Sequence, residues 1–97
     1  LSRHVLAYAA GDAIGTGRLL PDGHIGRMAV LPNWRRKGVG AAILELLMDI
    51  ARSHDMDRVR LNAQSQAVGF YARYGFVETG EEFLDAGIPH RPMMRNL

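Results

Sequence analysis

The sequence predicts a mixed α/β (α+β) fold in which an antiparallel meander leads into a β-α-β unit, a second helix and two C-terminal strands. Three observations predict it. The first third of the chain holds short strand-like runs separated by Gly11-Asp12 and Pro21-Asp22-Gly23, connections short enough to require antiparallel neighbours. The apolar residues Val39, Ile43, Leu46, Leu47, Ile50 and Ala51 then recur at helical spacing. A further strand-like run follows that helix directly, as a strand-helix-strand crossover requires.

In chain order, residues 4–10 alternate weakly and read as a strand. Residues 14–20 form a second, in which Gly15 and Gly17 announce a bulge or a close backbone approach. Residues 25–31 make a third strand, ended by Pro32, and the helix closes near Ser53. Residues 58–62 read as a buried strand, parallel to the third through a right-handed crossover. Residues 65–74 are expected to form the second helix, with Ser65 as N-cap and Gly75 as its left-handed stop. Residues 76–83 and 90–96 are expected to be strands joined by a loop at 85–89.

At 97 residues, 47% apolar and 23% charged, the expectation is one small globular domain spanning 1–97. The absence of cysteine excludes disulfides and thiolate metal sites, and the four histidines show no metal-ligand spacing. No apolar run reaches the roughly 18 residues of a membrane span, and the N-terminus lacks a signal-peptide layout, so a cytoplasmic protein with no membrane partner is expected. The net charge is only +2, and the densest cations, Arg35, Arg36 and Lys37, immediately precede two glycines and a helix. That placement suits one small polyanion better than nucleic acid.

Gly38 and Gly40 remove the β-carbons that would keep a ligand from the first helical turn. The first amides of a helix lack intrahelical partners and carry the positive end of its dipole, so the segment is a candidate pyrophosphate site. The plainer alternative is a tight turn flanked by solvated cations. A P-loop does not fit, because no Gly-Lys-Ser or Gly-Lys-Thr follows, and Ile43 stands where a dinucleotide fingerprint needs its third glycine.

Arg35, Gly38 and Gly40, in R/Q-x-x-G-x-G/A spacing, resemble the acetyl-CoA signature of the GNAT N-acetyltransferase superfamily. Phe70-Tyr71-Ala72-Arg73-Tyr74-Gly75-Phe76 resembles that family's second motif, and Glu81-Glu82-Phe83 with Gly87-Ile88-Pro89-His90 resembles its ElaA-like branch. The resemblance implies a GNAT-like fold and acetyl transfer from acetyl-CoA, without a metal, to an amine of a small molecule or peptide. It implies cofactor binding by Arg35, Arg36, Lys37, Gly38, Val39, Gly40 and Ala41, and by backbone amides at Met28, Ala29 and Val30. Gln64 stands where many members place a pantetheine-binding asparagine. Tyr71 stands where the family places the tyrosine that stabilises or protonates the departing thiolate; packing beside Phe70 and Phe76 is its alternative role. Glu82 and His90 are candidate acceptors of the amine proton, or else an ordinary strand carboxylate and surface histidine.

Typical members begin with another strand and two helices, and the chain starts at Leu1, so an N-terminally truncated domain is expected. The uncharged edge at residues 4–10 should then be covered by upstream residues or by a partner subunit, such as the second copy of a homodimer. Two other readings remain open: a CoA-binding module without transfer activity, and a small basic nucleic-acid-binding domain. Trp34 is read as packing under the basic loop, and the methionines as gap-filling residues.

Overall fold

In the computed structural model, which describes residues 2–97, β1 (Arg3–Ala9), β2 (Asp12–Leu19) and β3 (Ile25–Val30) form an antiparallel sheet in that order. The β1–β2 turn is Ala10-Gly11, both at positive φ, with Ala9 pairing Asp12 across it. This two-residue primed geometry matches the twist of the flanking strands. β3 carries one extra residue: Thr16 pairs Ala29 while Arg18 pairs Gly26, and Arg27, at φ 53°, is the left-handed residue between them. β2 bulges too, where Ala7 and Tyr8 face Gly15 and Ala13 and leave Ile14 over. β1 pairs only β2 among the described residues, and Leu6 and Tyr8 on it are exposed.

Helix α1 (Val39–Ser53) crosses this sheet and turns Ile43, Leu44, Leu47, Met48 and Ala51 into the core. Complete burial of such Leu or Ile side chains stabilises by about 1.5–3 kcal/mol each, so this one face supplies much of the driving force. Leu46 lies off that stripe and is 46% exposed, although its spacing had grouped it with the core. The glycines of β2 admit the helix. A β-carbon on Gly17 would lie 2.6 Å from Ile43 Cγ2 and 2.9 Å from Leu47 Cδ1, and one on Gly15 2.9 Å from Ile43 Cδ1.

The second sheet has the order β4-β7-β5, from β4 (Arg58–Gln64), β5 (Val77–Glu78) and β7 (Ile88–Asn96), with β6 (Phe83–Asp85) also on β7. Residues 76–83 are therefore not one strand. Pro92 lies opposite the break, and its carbonyl accepts the Thr79 N–H. The same side of Pro92 has no N–H to return, so the ladder stops there. Gly80 crosses so close that a β-carbon would sit 2.9 Å from Pro92 Cγ. The expected loop at 85–89 shrinks to a two-residue turn, Ala86-Gly87, again with both φ positive.

Between β4 and β5, a 3-10 turn (Ser65–Ala67) leads into α2 (Val68–Arg73), and Gly75 follows at φ 85°. Ser65 does not cap this helix; its hydroxyl donates to Glu82 Oε1 at 2.7 Å instead. β3 and β4 run parallel, but among the described residues they pair only at a bridge between His24 and Arg60, where the Arg60 N–H donates to the Gly23 carbonyl. Past that bridge the two strands separate. They still share one core, in which Leu19 and Ile25 meet α1 and the inward residues Val59, Leu61 and Ala63 of β4.

Gly17→Ala should overpack the junction of β2 with α1 and cost about 1–3 kcal/mol. Gly69→Ala, at an α2 position with nothing near the new β-carbon, should be neutral or stabilising. Urea midpoints of the two variants would check this, and an unchanged midpoint for Gly17→Ala would refute the close-approach account.

Candidate functional site

The separation of β3 from β4 opens a cleft of about 1200 Å³, floored by the two strands and closed at one end by the start of α1 and by α2. Strand alternation sets which amides face it. The Leu31 N–H donates to the Ile14 carbonyl on β2, and the Ala29 carbonyl also lies on the β2 side, against Gly15. The N–H groups of Met28 and Val30 consequently point away from β2, into the gap. Met28, Ala29 and Val30 all line it.

At the closed end, Arg36 (φ 60°) and Gly38 (φ 80°) turn the chain sharply into α1. The Arg35 side chain makes that loop rigid by donating from Nε to the Val30 carbonyl at 3.0 Å. The first intrahelical bond runs from the Ala42 N–H to the Gly38 carbonyl, so the amides of Val39, Gly40 and Ala41 have no partner within the helix. Among the described residues no side chain caps them. Arg35, Arg36, Gly38, Gly40 and Ala41 line the cleft. Lys37 does not; its ammonium stands 5.6 Å from the centroid of the Trp34 ring. The Val39 side chain turns inward against β2, near Gly15. Trp34 itself lines the cleft while stacking under that lysine.

Tyr71 lines the cleft within an aromatic cluster, edge-on to Phe70 (5.1 Å between centroids) and to Phe76 (5.9 Å). Packing and cleft exposure thus coexist in one side chain. Burial pushes its phenol pKa up, because the phenolate loses solvation. Gln64 lines the cleft, and its Oε1 accepts from Gln66 Nε2 at 2.7 Å.

The two candidate proton acceptors separate. Glu82 is not part of the lining and holds the Ser65 hydroxyl. His90 lines the cleft, its ring stacked on Phe83 and its Nδ1 2.7 Å from the Ile88 carbonyl. A carbonyl only accepts, so Nδ1 carries the proton and neutral His90 keeps a free lone pair on Nε2. The cleft also contains His24, Asn62, Phe70, Arg73 and Asp85, which the sequence reading had not assigned to it. A signal existed for Asn62, which shares a face with Gln64 two residues on. Among the described residues no group of three or more His, Cys, Asp or Glu is placed to hold a metal, and no helix is long and apolar enough to cross a membrane.

The acetyltransferase (GNAT) domain family matches residues 2–97. The uncharacterized N-acetyltransferase YjcF of Bacillus subtilis (strain 168) is 40% identical over 99 residues, covering 98% of this chain and 71% of that protein. The crystal structure of Escherichia coli ElaA superposes with a TM-score of 0.87 at 29% identity, covering 97% of this chain and 68% of that one. The fold is also that of a PaiA N-acetyltransferase from Thermoplasma acidophilum solved with coenzyme A, with a TM-score of 0.83 at 20% identity, over 99% of this chain and 61% of the other. The chain spans 62% to 71% of the length of its Bacillus subtilis relatives.

The buried phenol has a spectroscopic consequence. In an alkaline absorbance titration, subtracting the Tyr71→Phe curve from the wild-type curve should leave an ionisation centred above 10. A difference curve centred at or below 10 would show that the Tyr71 ring is solvated.

Proposed function

The chain belongs to the GNAT acetyltransferase family, and from that premise we propose that it binds acetyl-CoA and passes the acetyl group to an amine by direct attack. The observation that carries this reading is the cleft's continuity: one open gap joins free strand amides at Met28 and Val30 to the helix start, where Gly40 and Ala41 line it with unpaired amides. An extended ligand with a pyrophosphate at one end and a thioester further along meets donors at both places. That the PaiA structure was solved with coenzyme A supports the same choice of ligand.

In this reading the helix amides and the α1 dipole hold the pyrophosphate, with Arg36 and Arg73 adding charge along the same wall. Arg35 contributes geometry as well as charge, since its Nε is committed to Val30. The amides of Met28 and Val30 and the Gln64 side chain hold the pantetheine arm, and one strand amide polarises the acetyl carbonyl. A donor aimed at a developing oxyanion is worth ~3 kcal/mol. The amine nitrogen attacks the carbonyl carbon, the carbon–sulfur bond breaks, and the sulfur leaves with the electron pair. His90 Nε2 takes the proton that the amine sheds, directly or through water. Tyr71 donates a hydrogen bond to the departing sulfur. Its raised pKa keeps the phenol protonated and makes complete transfer to a thiolate more uphill, so donation is the favoured role.

Gly38→Glu should abolish acetyl-CoA binding in calorimetry, because it adds a carboxylate and a side chain at φ 80° where the anion approaches. Affinity unchanged in a variant with wild-type circular dichroism would place the ligand elsewhere. Tyr71→Phe should lower turnover about 100-fold, near the lower limit for acid catalysis, with acetyl-CoA affinity almost unchanged. Equal turnover would leave Tyr71 as a packing residue only.

A further inference from the structure

The sheet face turned away from α1 carries a cationic corner that donor binding does not use. Arg18 on β2 pairs across the ladder with Gly26 on β3, so its side chain lies over a position that has none. A β-carbon on Gly26 would meet only Arg18 Nη2 at 3.8 Å and His24 Cδ2 at 3.9 Å. Gly26 is therefore an open floor between a guanidinium and an imidazole. His24 in turn bridges to Arg60 on β4. His24, Gly26 and Arg27 line the same cleft as Tyr71 and His90.

The charges in this corner do not balance. The nearby carboxylate, Asp22, is already engaged, accepting from Arg60 Nη2 at 2.7 Å and from the His24 N–H at 3.0 Å. Neither Arg18 nor Arg27 forms an ion pair among the described residues. Arg18 Nε is buried without a hydrogen-bond partner, a condition that folded chains normally relieve with water or a ligand.

We propose that the floor at Gly26, between Arg18 and His24, docks a carboxylate of the amine acceptor, which makes small amino-carboxylates the acceptor class. A guanidinium holds a carboxylate through paired N–H donors, and His24 adds a neutral ring N–H. Burial first, and then Arg60, hold the His24 pKa below its usual value; Arg18 acts in the same direction and Asp22 against it. A polyamine would meet Arg27, Arg35, Arg36 and Arg73 in the lining, with Asp85 as the one carboxylate there. The inference rests on the acyl-transfer reading of the cleft, and its test is a binding measurement that needs no turnover.

Calorimetry on the full chain loaded with coenzyme A should compare phenylalanine with phenethylamine, methionine with 3-(methylthio)propylamine, and tyrosine with tyramine, with spermidine added as a polycation. At least one acid should bind tenfold or more tightly than its matched amine, and spermidine should not bind. Arg18→Gln should erase the preference while leaving coenzyme A affinity unchanged. If that variant unfolds, Gly26→Val fills the floor from the other side and should have the same effect. Proton NMR of the His24 ring should show its titration midpoint rising when the acid binds, since a nearby anion favours imidazolium, and staying still with the amine. Amines binding as tightly as acids, a preference that survives Arg18→Gln or Gly26→Val, or no binding by any acid would overturn the proposal. Acids that bind at this corner yet are never acetylated would instead refute the transfer reading and leave the docking site standing.

Discussion

The bridge between His24 and Arg60 holds β3 against β4 at one end only, and the rest of the site depends on the pairing stopping there. Were the ladder continued toward Val30 and Gln64, the two strands would satisfy each other's amides and fill the space between them. Unpaired backbone donors are normally a liability in a fold. They are tolerated here because apolar packing holds the sheets together. Leu19 and Ile25 from the first sheet and Val59, Leu61 and Met93 from the second share one core with α1, so cohesion does not need the missing hydrogen bonds.

The loop before α1 follows the same division of labour. Its two left-handed residues, Arg36 and Gly38, aim the helix start at the gap, and the non-glycine one carries real backbone strain. Arg35 offsets some of that by locking the loop to the last carbonyl of β3. The basic cluster is thus three residues with three different tasks: Arg35 fastens, Arg36 lines the cleft, and Lys37 stacks on Trp34.

What could be read from the sequence was whatever the chain encodes locally. Helix α1 came out with its observed bounds because fifteen residues of 3.6-residue periodicity leave little freedom, and the glycines of β2 correctly announced a close approach. The motif residues Arg35, Gly38, Gly40 and Tyr71 do meet on one cleft. The failures were non-local. Nothing within residues 76–83 says that the strand must break; the cause is the missing N–H of Pro92, which lies opposite only once β7 has docked. Ser65 has the chemistry of a cap but finds Glu82, seventeen residues on, as a better partner. The Arg18, His24 and Gly26 corner needs three backbone segments brought together before it exists, and no spacing along the chain reveals it.

β7 is the last strand of the described chain and also the hub of its sheet, pairing β4, β5 and β6 alike. During synthesis, the meander can pair and α1 can lie on it once residues through Ser53 have left the ribosome, but the core stays open, since Val59, Leu61, Ala63, Phe76 and Met93 are all later in the chain. β4 then waits about thirty residues for the strand that completes its ladder. In that interval Val59, Leu61 and Ala63 have α1 to pack on but no neighbour on the open side. A chain whose β4 has left the ribosome while residues 88–96 have not should therefore be the form most exposed to chaperones and to misassociation.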